Sequence, residues 1–245
     1  MIDFYYAPTP NGWKIAIVLE EMGLEYETHL VRLTEGDQFA PEFLEISPNA
    51  KMPAIVDRDA PGGTPVSVFE SGAIALYLAE KTGKFMPTDA MGRKETLEWL
   101  FWQVGNQGPM AGQLSHFVNY APKYGQESGA DAHEYAHARY KGEYERSLAV
   151  LDRRLAGRDY ILDWGYSVVD MICFPWAFIA KNFGVALDDF PNVAAWRGRI
   201  KSREAVMRAI NLHKDQQNQG PDKATAETNK ILYNQDASVF RRDSA

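Results

Sequence analysis

Cysteine is nearly absent: Cys173 stands alone among 245 residues. A single thiol excludes an internal disulfide and any paired-cysteine redox motif. Long apolar runs are missing too, and none approaches the roughly 20 residues needed to span a bilayer. Positive charge is not in excess. The 26 Lys and Arg face 33 Asp and Glu, and the net charge of −7 opposes non-specific nucleic-acid binding and favours solubility. Like charges do not gather into blocks of the kind that make interaction tails. Residues 1–6 have no basic stretch leading into an apolar leader, so the cytoplasm is the expected compartment. What is present is a hydrophobic fraction of 45%, the level of a globular protein, on a chain whose length suits two domains.

The first third alternates strand and helix signals. Ile2 to Tyr6 is apolar and β-prone, and the turn-forming Pro8, Pro10, Asn11 and Gly12 follow. Ile15, Val18, Leu19 and Met22 then share one helical face, closed by Gly23. Residues 26–31 read as a second strand, which the crossover makes parallel to the first. A short helical turn at residues 41–44 precedes strands at 54–57 and 65–69, joined by a Pro-Gly-Gly connector short enough for an antiparallel hairpin. Ser71 opens a helix with Ile74, Tyr77 and Leu78 on one face. The order β-α-β, loop, β-β-α is the thioredoxin-like arrangement.

Beyond Lys84 the period changes to that of helices. Leu97, Leu100, Phe101 and Val104 form a stripe, and the Gly105 to Pro109 stretch is expected to interrupt it, because proline lacks an N–H. Residues 134–155 predict a long helix ended by Gly157. Ser167 and Asp170 predict a capping box before Val169, Ile172, Cys173 and Trp176, and residues 191–200 predict another helix. The fold class expected is a thioredoxin-like N-terminal domain, residues 1–83, with an all-helical bundle domain, residues 90–245. From about residue 215 the tail is polar, with apolar islands at 231–233 and 239–240 that are candidates for docking on the body.

Several residues stand where chemistry is easy. Thr9 and Asn11 lie between the first strand and first helix, where free backbone N–H groups favour an anion such as a thiolate. Their hydroxyl and amide groups are able to donate to sulfur, although from position alone turn and cap chemistry is the simpler account of both. Pro53 precedes a strand, and a cis bond there would turn the Met52 backbone toward an extended peptide ligand. Ser71 is placed to cap its helix while the helix N-terminus receives a ligand carboxylate, and Glu70 to accept from an ammonium. His133, Glu134 and His137 form an HExxH pattern on a helix, but a catalytic zinc needs a third protein ligand and the usual extension is absent. We therefore expect no metal, with a zinc hydrolase as the remote alternative. Cys173 sits on an apolar face and reads as packing.

These segments carry a family likeness. The opening residues 2–12, Gln38-Phe39, Ile46-Ser47-Pro48-Asn49, residues 52–57, Phe69-Glu70-Ser71-Gly72 and Tyr166 to Asp170 resemble glutathione transferases. Residues 99–105 and Gly108-Pro109-Met110 resemble, more narrowly, the bacterial Nu class, which is related to the prion-forming nitrogen-regulator branch. The likeness runs from residue 1 to about residue 210. It implies that Thr9 and Asn11 face the glutathione sulfur, that Gln38, Met52, Glu70 and Ser71 hold the glutathione backbone, and that Pro53 is cis. It also implies that Arg139 serves the disulfide-binding site and that the protein is a homodimer. The polar-to-aromatic mix around Trp99 and Trp102 is a candidate contributor to the subunit face. No serine or cysteine occupies the usual thiol-activating position, and Tyr5 and Tyr6 lie within the first strand. This points toward reduction of small-molecule disulfides by bound glutathione, with conjugation of electrophiles, peroxide reduction or a non-catalytic regulator as alternatives.

Overall fold

The computed structural model describes residues 1–119, 130–214 and 231–232. The first part is built on strand β1 (Ile2–Tyr6), helix α1 (Pro10–Met22), strand β2 (Tyr26–Leu30), a 3-10 turn (Asp37–Phe39) and the short α2 (Pro41–Leu44). Strands β3 (Ala54–Asp57) and β4 (Val66–Phe69) and helix α3 (Ser71–Thr82) complete it. The sheet order is β2-β1-β3-β4, with β1 parallel to β2 and antiparallel to β3, and β3 antiparallel to β4. This is the mixed sheet that the strand and helix signals predict. Phe4, Tyr6 and Ile55 turn one face to Ile15, Leu19, Ile74 and Leu78 of α1 and α3. The other face carries Tyr5, Val31 and Ala54 against Phe43 of α2.

Two local features aim α1. Thr9 has an extended backbone and its Oγ1 accepts from Gly12 N–H at 3.4 Å, while Pro10 supplies the first helical φ. Gly12 lets the helix leave the strand tightly, because a Cβ there would stand 2.1 Å from the Ala7 carbonyl oxygen.

Beyond α3, apart from a single bridge between Leu162 and Gly165, the regular elements of the described residues are helical. They are α4 (Ala90–Trp102), α5 (Gly108–Asn119), α6 (Ala130–Leu155), α7 (Val168–Phe178), a 3-10 turn (Ala180–Phe183), α8 (Pro191–Lys201) and α9 (Glu204–Asn211). Helix α7 is the central rod and is buried from Val168 to Ala177. Its capping box is present: Asp170 Oδ2 accepts from Ser167 N–H at 3.0 Å and Ser167 Oγ at 3.1 Å.

The expected interruption takes a particular form: the α-helix stops at Trp102, Gln103–Gln107 winds as π-helix, and α-helix resumes at Gly108, so the chain stays helical throughout. Gly108 N–H reaches back to the Gln103 carbonyl, and the wide turn lets Pro109 fall inside the first turn of α5, where its missing N–H is tolerated. The expectations for residues 215–228 and 239–240 lie outside the described residues.

Candidate functional site

A cavity of about 510 Å³ opens between the two parts of the fold. That is the size range of small-molecule sites. Asn11 at the start of α1, Gln38, Met52, Pro53, Glu70 and Ser71 all line it, joined by Val104, Pro109, Gly112 and Gln113 of the helical part.

Each sheet-side residue is held by its own local structure. The Met52–Pro53 bond is cis. Gln38 is 3% exposed; its Nε2 donates to the Leu33 carbonyl at 3.3 Å and its Oε1 has no partner. Glu70 occupies the cap position of α3 with φ at 70°, a left-handed value that a non-glycine residue adopts only under constraint. Ser71 is therefore not the cap that its position suggests but the first helical residue. By helix geometry the N–H groups of the first turn of α3 have no carbonyl partner within the helix, so they face outward as an anion site. Gly72 allows close approach of the helical part, since a Cβ there would meet Val104 at 3.0 Å.

The remaining candidates lie outside the lining. Thr9 is engaged as the cap of α1, and its Oγ1 donates to Met52 Sδ at 3.8 Å, so it borders the site through Met52. Arg139 is 60% exposed on α6 and pairs with Glu143 at 2.9 Å. Arg146 and Arg139 share that carboxylate and hold it below its ordinary range. Tyr6 donates to the Leu212 carbonyl at 3.2 Å, and Tyr5 stacks on His29 with ring centroids 4.8 Å apart. His133 and His137 stack with centroids 6.4 Å apart, and among the described residues no third ligating side chain converges on them. Cys173 is fully buried, and burial pushes its thiol well above the usual range.

Sequence reasoning missed Lys14. It is 2% exposed, lines the cavity floor, and its Nζ donates to Ser71 Oγ at 3.3 Å. Burial pulls the ammonium down to about 7, only partly opposed by Cys173 and Glu70. The signal was available, because Lys14 is the one charged residue in an otherwise apolar stretch from Trp13 to Leu19. Leu232 also lines the cavity, so the first apolar island of the tail reaches the site.

Residues 9–81 match the family model of the glutathione S-transferase N-terminal domain, and residues 117–204 match that of the C-terminal domain. The disulfide-bond oxidoreductase YfcG of Escherichia coli (strain K12) is 48% identical over 211 residues, which cover 86% of this chain and 94% of that protein. A solved glutathione transferase from Burkholderia graminis, with two glutathione molecules bound per subunit, superposes with a TM-score of 0.79 at 42% identity, over 87% of this chain and 88% of that one. One from Pseudomonas putida, with one glutathione disulfide bound per subunit, gives 0.80 at 40% identity, over 86% and 91%.

Proposed function

The chain belongs to the glutathione S-transferase family, and we propose that it is an enzyme that reduces small-molecule disulfides with glutathione, using no thiol of its own. The observation that carries this reading is the burial of Cys173, the sole cysteine, within α7 and outside the cavity. A protein-thiol mechanism has no nucleophile to offer, whereas relatives of this fold hold two glutathiones or their disulfide.

In this reading Asn11 and the first turn of α1 stabilise a glutathione thiolate, with Thr9 acting beside them. Gln38, the Met52 backbone, Glu70 and Ser71 hold the tripeptide, with Pro53 setting the Met52 backbone, and Arg139 serves the second tripeptide. Thiolate is the reactive form in exchange. The first thiolate attacks one sulfur of the substrate disulfide, forming a mixed disulfide and releasing one substrate thiolate. A second glutathione thiolate then attacks the mixed disulfide, giving glutathione disulfide and the second thiolate. Two glutathiones are oxidised as one substrate disulfide is reduced, and no outside electron donor is needed. The protein contributes position and anion stabilisation.

The reading includes a division of labour between residues 1–83 and residues 90–245, a cytoplasmic setting and a homodimer. No helix among the described residues is long and apolar enough to cross a membrane. Trp99 and Trp102 are half-buried against the core, and the exposed apolar groups of α4 are Met91 and Phe101, so Phe101, between the two tryptophans, is the group of that region most open to a partner. A monomer mass by light scattering at micromolar concentration would remove the dimer from this reading.

The test is turnover with glutathione and a model disulfide such as 2-hydroxyethyl disulfide. Wild type and Cys173→Ser are expected to turn over alike. Asn11→Ala is expected to lose about 10²–10³ in rate, as for loss of one anion-stabilising donor, with little change in melting temperature. A folded but inactive Cys173→Ser would overturn the mechanism.

A further inference from the structure

Among the described residues Lys14 has no carboxylate within ion-pair distance, although it is almost fully buried. An unpaired buried ammonium is costly, and a fold that keeps one leaves its charge available to an incoming anion. Among the described residues the side chain it bonds is Ser71 at the start of α3, where the free N–H groups of the first turn gather. The lysine ammonium of α1 thus meets the serine hydroxyl at the N-terminus of α3, and both residues line the cavity.

We propose that Lys14 is the buried counter-charge of this subsite: the ligand carboxylate received by Ser71 and α3 is neutralised from beneath by Lys14, and binding loads a proton onto Lys14 whenever the free protein has shed it. The proposal rests on the glutathione reading and deepens it. It adds a residue and a proton linkage to a site otherwise described by uncharged donors.

The surroundings of Lys14 make the linkage readable. The ionisable groups acting on it are Glu70 from the β4–α3 junction and Cys173 from α7, whose thiol burial pushes up. The π-helical side contributes only neutral groups. Gly108 lies beside Nζ, for a Cβ on it would stand 3.5 Å away, and Gln103 is buried with both side-chain polar atoms unpartnered. Arg203 and Arg208, which reach α1 from the α9 side, are engaged with Glu21 and Glu20 further along the helix. Among the described residues no histidine lines the cavity. Between about pH 6 and pH 8 Lys14 is therefore the group of the site that changes charge. With the free ammonium lowered to about 7, a bound carboxylate raises it again, so the ligand favours the protonated form.

The experiment is titration calorimetry with S-methylglutathione, which has no thiol to ionise, in two buffers of different ionisation enthalpy at about pH 6 and about pH 8. Wild type is expected to take up almost no proton at the lower pH and most of one proton at the higher, with affinity about tenfold weaker there. In Lys14→Met and Lys14→Arg, which cannot exchange this proton, the uptake at the higher pH is expected to fall by most of one proton. The ligand's own amino group contributes equally to all three proteins and cancels in the difference. Equal proton uptake in wild type and Lys14→Met, or none in wild type at either pH, would overturn the proposal. If a variant does not fold, the wild-type proton count alone decides. Failure of wild type to bind S-methylglutathione at any pH sinks the glutathione reading itself, and is distinct from binding without proton uptake.

Discussion

Asp57 in the sheet part and Asp170 in the helical part are both fully buried carboxylates, and they titrate in opposite directions. Burial raises each. For Asp57, Lys81 Nζ at 2.6 Å, Tyr77 OH at 2.7 Å and Asp59 N–H at 3.0 Å more than reverse this and hold the carboxyl below its ordinary value. Asp170 has only neutral donors: Ile161 N–H at 3.0 Å, Trp196 Nε1 at 2.9 Å and the Ser167 groups. There burial wins, and the carboxyl is pushed up to about 6. Asp57 has a counter-charge in Lys81 besides its uncharged donors, whereas Asp170 has uncharged donors alone. Hydrogen bonds and a nearby opposite charge both favour the ionised form, and at Asp170 the bonds by themselves do not outweigh burial. Lys14 is the cationic version of the Asp170 case, a buried ion waiting for its partner.

The cavity walls differ in a related way. The sheet-side wall presents fixed polar groups at Gln38, Glu70 and Ser71 and the backbone at Met52. The helical wall presents Val104, Pro109 and Gly112, with Gln113 as its polar side chain. On the proposed reading one wall recognises the constant part of the ligand and the other leaves volume for a variable part.

The carboxylate contrast can be broken most strongly. Asp170→Asn and Asp57→Asn are each expected to lose about 2–4 kcal/mol, since each disturbs a buried network and mismatches some of its donors. The pH dependence should separate them in urea unfolding. Asp170 has a raised folded value, so its contribution to stability is complete below about 4 and is lost as pH rises through about 6. The deficit of Asp170→Asn relative to wild type should therefore narrow between those limits. Asp57 has a depressed folded value, so its contribution is present above the ordinary carboxylate range and lost below it. The deficit of Asp57→Asn should shrink as pH falls below about 4. Parallel pH profiles for the two variants would remove the counter-charge explanation.

Gly112→Val tests the walls. The nearest atom to a Cβ at this position is in Trp176 at 3.8 Å, an ordinary contact, and Gly112 lines the cavity. The KM for a bulky disulfide is expected to rise about tenfold, while the Kd for glutathione stays within about twofold. An equal loss for both ligands would mean that the walls do not divide the ligand in this way.

Arg139→Gln has the smallest expected effect. Its side chain is exposed and already paired with Glu143. Affinity for glutathione disulfide should fall about two- to fivefold, with glutathione unchanged, because solvent screens such a contact. Equal affinities in variant and wild type would take Arg139 out of the site.

The strand and helix periods, the Gly23 stop and the Ser167–Asp170 box were enough, by local chemistry, to determine the order of elements and the change of architecture near residue 84. The glutathione-site candidates Asn11, Met52, Pro53, Glu70 and Ser71 were legible as motif positions, and they converge on one cavity. What the sequence could not supply depends on contacts between distant segments. The π turn at Gln103–Gln107 absorbs a proline that local rules assign to a break. Glu70, not Ser71, takes the cap position, because the β4–α3 junction forces a left-handed backbone there. Lys14 acquires its shifted charge only when α7, the π segment and α3 close over it and exclude water. Burial and counter-charge are properties of packing, so the ionisation of Lys14, Asp57 and Asp170 was decided by the tertiary structure alone.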